Sequence, residues 1–111
     1  MSDIEKLISD WRNSVDDYSK AKSQAEYLKE FRKSQKAILV QQAHSLGVKT
    51  GLEREAYAYS HPDYLELLEA LKVATEQAEQ LRWRMTIAQE RVNVWRTKQA
   101  NGRKEQVMYS A

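Results

Sequence analysis

Apolar positions recur through the second half of the chain in alternating steps of three and four. From Tyr64 the series continues Leu67, Leu71, Ala74, Ala78, Leu81, Met85, Ala88, Val92, Trp95 and Gln99. Five heptads without a break specify one long α-helix with a continuous seam, which needs a partner helix of similar length. The first half carries a looser series. Ile4, Ile8, Trp11, Val15, Tyr18 and Ala25 keep the spacing, with Lys22 interrupting, and the stripe then drifts to Leu28, Phe31, Gln35 and Ile38. Trp83, Ile87 and Val94 each stand two residues beyond a seam position. A step of two turns about 200° around a helix, so these three form a second apolar face opposite the first.

Punctuation divides the pattern into elements. Ser2-x-x-Glu5, Thr50-x-x-Glu53 and Ser60-x-x-Asp63 read as capping boxes, with Pro62 in the first turn of the last helix. Gly47 and Gly102 suit the left-handed position just past a helix end. These signals predict helices over 3–46, 51–59 and 62–101. Folding back at the middle sets Leu28 near Leu81, Ala25 near Met85, Tyr18 near Val92 and Val15 near Trp95. The expected fold is all-α: an elongated antiparallel helical hairpin of two long helices with a short helix at the turn. It forms one domain over 1–102, followed by a flexible tail over 103–111. Full exposure of Trp83, Ile87 and Val94 would be unusual for a monomer, so they are the expected interface of a homo-oligomeric bundle.

Charge order supports the same folding back. Residues 1–19 carry net −3, 20–49 net +5, 53–81 net −5 and 82–104 net +6. Each block thus faces its opposite in an antiparallel pairing. The overall charge of +2 names no partner. There is no Cys, hence no disulfide framework or thiolate metal site, in keeping with a reducing cytoplasm. No run is apolar enough to span a bilayer, and no signal-peptide core opens the chain, so no membrane association is expected. Nothing points to catalysis. The only histidines are His44 and His61, the latter placed to cap a helix, and no metalloprotease, phosphate-loop or nucleophile-elbow motif occurs. Glu53/Glu55 and Glu66/Glu69 read as solvated helix faces, and no Glu-x-x-His di-iron pattern is present. The expectation is a non-enzymatic protein with no cofactor and no metal.

The basic residues carry the remaining signal. Arg82, Arg84, Arg91, Arg96 and Lys98 gather late in the last helix, with Trp83 between two arginines; Lys49 and Arg54 lie near Tyr57 at the turn. Basic tracks with aromatic faces hold single-stranded nucleic acid. The stretch Glu53-Arg54-Glu55-Ala56-Tyr57-Ala58-Tyr59-Ser60, the long helix after it, and the ending Val92-Asn93-Val94-Trp95-Arg96-Thr97-Lys98-Gln99-Ala100-Asn101 resemble UvsY-type recombination mediators of T-even phages and small proteins of phage recombination modules. The likeness covers roughly residues 36–103; Arg54 is the clear match within that family's basic stretch. The resemblance implies a helical homo-oligomer that binds single-stranded DNA and helps load a recombinase against single-strand-binding protein. The alternative expectation is a protein-only coiled-coil adaptor or inhibitor, phage-encoded, acting on a host or phage protein.

Overall fold

The structure is a computed structural model that describes residues 2–110, with side chains through Met108. It holds three helices, α1 (Asp3–Ser45), α2 (Gly51–Ser60) and α3 (Pro62–Ser110), and no strand among the described residues. No helix there is long and apolar enough to cross a membrane. The chain divides into two compact units. One comprises Met1–Ser19 with Glu79–Ala111; the other is the continuous segment Lys20–Ala78.

Local chemistry explains the helix boundaries. At the start of α1 the Ser2 backbone N–H donates to Glu5 Oε2 and the Glu5 N–H to Ser2 Oγ, both at 3.3 Å, a reciprocal capping box. Gly47, at φ +90°, ends α1 with two bonds: its N–H donates to the His44 carbonyl and the Val48 N–H to the Ala43 carbonyl. That pairing is a Schellman closure, which needs the left-handed backbone glycine adopts without strain. Thr50 Oγ1 accepts from the Glu53 N–H at 3.1 Å and caps α2. The expected third box does not form. Ser60 Oγ donates back to the Ala56 carbonyl at 2.7 Å, and His61 Nδ1 accepts the Asp63 N–H at 3.0 Å, so the imidazole caps α3. Gly102 ends nothing. Its φ is not positive, and α3 continues past the expected end at 101 through the helix-forming run Arg103–Gln106 to Ser110.

In the 20–78 unit the core is built around the turn. Leu39 (1% exposed), Ala58 and Tyr64 form one buried cluster, with Val40 and Leu68 packed against it. Each of the three helices supplies one member, so α2 lies against the end of α1. Ala43, Leu67, Ala74 and Ala78 are also buried. The unit of 1–19 and 79–111 has a thinner core of Ser14, Ala88 and Val92, flanked by half-buried Leu7, Trp11, Tyr18, Leu81, Met85 and Trp95. Ser14 is buried at no hydrogen-bonding cost, because its hydroxyl donates to the Asp10 carbonyl at 2.8 Å.

Two expectations about α1 change. Its seam is not Ile8, Val15, Phe31 and Ile38, which are exposed. The inward positions are Ile4, Leu7, Trp11, Ser14, Tyr18, Ala21, Ala25, Leu28, Arg32, Gln35 and Leu39, an unbroken three–four series. Small and polar residues hold seam positions while larger apolar ones sit beside them. The register also differs, by about one heptad. Leu28 shares a cleft with Ala70, Val73 and Ala74 instead of meeting Leu81. Ser14 shares one with Ala88, and Tyr18 lies close enough to influence Arg82, replacing the pairings of Val15 with Trp95 and Tyr18 with Val92. The cause is α2. Because it packs on Leu39, Tyr64 at the start of α3 also lies beside Leu39, several residues before the end of α1.

Candidate nucleic-acid interface

The basic and aromatic residues named from the sequence fall into the two units. Three belong to 20–78. Arg54 is engaged in the turn: its Nε donates to the Val48 carbonyl at 2.8 Å and its guanidinium to the Lys49 carbonyl at 3.4 Å. The side chain therefore fastens the connection from α1 to α2. Tyr57 is half-buried, with its ring 5.5 Å from that of His61. Lys49 is exposed. Lys36, not singled out from sequence, bridges α1 and α2. Its Nζ lies 3.5 Å from Glu55 and 4.7 Å from the centre of the Tyr59 ring. Tyr59 first and Glu55 second hold its pKa above the ordinary lysine value. Tyr59 in turn meets Tyr64 edge to face at 5.3 Å.

The other residues belong to 1–19 and 79–111, on α3. Arg82 is occupied. It makes a bidentate pair with Glu79 one turn earlier, at 2.6 and 3.1 Å, and lies 4.6 Å from the Trp83 ring centre. The hydrogen bonds from Arg82 pull the Glu79 pKa below its ordinary value, and the same pairing raises that of Arg82. Trp83 is 54% exposed, with one ring face taken by Arg82. Ile87 and Val94 are exposed to a similar degree.

Arg84, Arg91, Arg96 and Lys98 differ from Arg82 in having no ion pair or side-chain hydrogen bond among the described residues. Arg84, Arg91 and Lys98 succeed one another at seven-residue spacing and so share one flank of the helix. Arg84 and Arg91 line a cleft of about 520 Å³ with Asp10 and Asp17 of α1. A second hollow of about 370 Å³, walled by Leu7, Ile87, Val94 and Trp95, adjoins Arg91 and Lys98. Sequence reasoning missed the two aspartates, although Asp3, Asp10 and Asp17 repeat every seven residues as the basic row does. Among the described residues, no group of three or more His, Cys, Asp or Glu is placed to hold a metal ion.

The arrangement brings together guanidinium and ammonium groups without partners among the described residues, a half-exposed indole and an apolar strip. Groups of this kind bind phosphate or carboxylate and bury apolar partners. No protein-family model, curated protein or solved structure matches the chain.

Proposed function

We propose that this chain is a non-enzymatic accessory of DNA recombination in the cytoplasm. It binds single-stranded DNA and helps load a recombinase, acting as an antiparallel helical hairpin assembled into a homo-oligomer. One observation supports the reading: the cations Arg84, Arg91, Arg96 and Lys98 of α3 have no partner among the described residues, and the half-exposed Trp83 stands beside them. The resemblance to phage recombination mediators points the same way. Arg54, Tyr57 and Arg82 drop out of the contact set, because the turn, His61 and Glu79 already hold them.

The test is a fluorescent oligo-dT titration over a salt series. Phosphate contacts give a log-linear loss of affinity with salt, with a slope near 0.7 per contact on single strands. Replacing Arg91, Arg96 and Lys98 together by Ala should weaken binding and flatten the slope, with helicity unchanged. Absence of binding by the parent at ~50 mM salt, where electrostatic binding is strong, rejects the reading. A second reading, a protein-only adaptor, is favoured by Asp10 and Asp17, which put negative charge in the cleft that Arg84 and Arg91 line. An adaptor would ignore oligo-dT and hold its partner through the Ile87–Val94 strip against salt.

A further inference from the structure

The unit of 1–19 and 79–111 carries two charge rows that match but do not pair. Asp10 and Asp17 on α1, and Arg84 and Arg91 on α3, line a single cleft without forming an ion pair. Asp3 and Lys98 extend each row by one heptad. Leu7 shares a hollow with Trp95 and Lys98, and Tyr18 lies close enough to influence Arg82, so ascending numbers on α1 meet descending numbers on α3. Helical rise from these points puts Asp10 near the level of Arg91 and Asp17 near that of Arg84. Exposed apolar side chains, Ile87 and Val94, accompany the rows.

We infer that this face seats a second copy of the chain, related by a twofold axis parallel to the helices, with the aspartate row of each copy on the basic row of the other. Charge selects the axis. A twofold parallel to the helices lays α1 of one copy on α3 of the other without changing height. Asp10 then meets Arg91 of the second copy, Asp17 meets Arg84 and Asp3 meets Lys98, and symmetry repeats every pair. A twofold across the helices lays α3 on α3 instead. It sets Arg91 on Arg91 and Arg84 on Lys98, like charge on like. Ile87 and Val94 supply apolar contact within the same seat. Two adjacent helical segments of about 20 residues present a face of roughly 30 by 20 Å, which approaches the ~800 Å² a side that specific dimers bury.

The inference specifies the assembly within the proposed function but does not rest on DNA binding. If a strand does bind, its phosphates and the aspartates of the second copy draw on the same cations, so self-association restrains strand capture. The absence of cysteine makes a direct test clean. Asp10→Cys and Arg91→Cys proteins, prepared separately, mixed and mildly oxidised, should form a disulfide-linked dimer many times faster than either alone. Both positions are exposed, and circular dichroism checks that each variant stays helical. Self-linking of Arg91→Cys as fast as the mixture, or a monomeric parent mass by light scattering, overturns the proposal. Charge exchange gives an independent arm. Asp10→Arg/Asp17→Arg and Arg84→Asp/Arg91→Asp proteins should each be monomeric and recover the dimer mass on mixing; no recovery, with both variants helical, counts against it. Oligo-dT separates this proposal from the previous one. A cross-linked pair that ignores DNA supports the dimer and removes the strand contact, whereas a monomer that binds DNA does the reverse.

Discussion

The two units use the same residue types to different ends. In 20–78, Arg54 and Lys36 are committed, while Lys49 in the turn stays exposed. Arg54 fastens backbone carbonyls, Lys36 joins α1 to α2 through Glu55 and Tyr59, and the aromatics Tyr57, Tyr59 and Tyr64 pack on one another or on His61. In 1–19 with 79–111, Arg84, Arg91, Arg96 and Lys98 have no partner among the described residues, Trp83 is half-exposed, and the core is reduced to a few residues around Val92. The two units thus separate charge fixed by the fold from charge left uncommitted. Charge that is hydrogen-bonded inside a turn fixes geometry, and charge left in solvent beside apolar side chains remains available to another molecule.

The largest test of this contrast removes the centre of the better packed unit. Leu39→Ala deletes a fully buried side chain and should cost about 2–5 kcal/mol in urea unfolding. A cost below ~1 kcal/mol, too small for a buried leucine, would show that the cluster with Ala58 and Tyr64 does not anchor the fold. Gly47→Ala forces an L side chain into left-handed backbone with nothing nearby to compensate, at about 1–2 kcal/mol. Arg54→Ala should cost about 1–2 kcal/mol through its lost bonds to Val48 and Lys49, while oligo-dT affinity stays within experimental error. A large loss of binding would return Arg54 to the contact set. On the other side of the comparison, Trp83→Glu with Ile87→Lys should change stability by no more than ~0.5 kcal/mol per site yet reduce the particle mass. The smallest effect concerns pH. Arg82 holds the Glu79 carboxylate below its ordinary pKa of 4.5, so that contribution is complete above pH 4.5 and is lost as pH falls through the lowered folded value. Lys36 runs the opposite way: held above 10.5 by Tyr59 and Glu55, it contributes fully below pH 10.5 and loses this as pH rises through the raised value. Glu79 is exposed and Lys36 half-buried at the surface, so solvent screens both. Glu79→Gln should flatten only the acid limb of a stability profile and Lys36→Met only the alkaline one; a change on the wrong limb would contradict the assignment.

The long seam of α3 was legible in large part, although Gln99 at its end is exposed and Leu71, Leu81, Met85 and Trp95 are only half-buried. Tyr64, Leu67, Ala74, Ala78, Ala88 and Val92 are buried as their spacing predicts. The seam of α1 was not, because residue size and position disagree there. Ser14, Ala21 and Arg32 turn inward, whereas Val15, Phe31 and Ile38 stand one position aside on a more exposed flank. A pattern read by hydrophobicity follows the larger side chains and so drifts off the axis of contact. The register needed information that spacing does not hold, namely that α2 packs on Leu39 instead of merely connecting the long helices. The basic residues were visible from composition, but which of them are free was not. For Arg54 that depended on carbonyls at Val48 and Lys49, partners set by backbone geometry; for Arg82 the partner Glu79 stands one turn earlier and was readable from the spacing. Heptad spacing of aspartates on one helix and of cations on the other was present in the sequence, and only their shared cleft gave it meaning.

The division of the chain also has a temporal consequence. Lys20–Ala78 is continuous, whereas the other unit joins the first nineteen residues to those beyond Ala78. During synthesis the continuous segment can collapse as soon as it leaves the ribosome, through contacts closed over short loops. The opening stretch of α1 must wait as an unpaired helix until the last third of the chain arrives, and closing so long a loop costs entropy that only the finished unit repays. Nascent chains halted after Ala78 should therefore already protect the amides around Leu39 and Ala58 from exchange, while Asp3 to Ser19 exchange freely until α3 is complete.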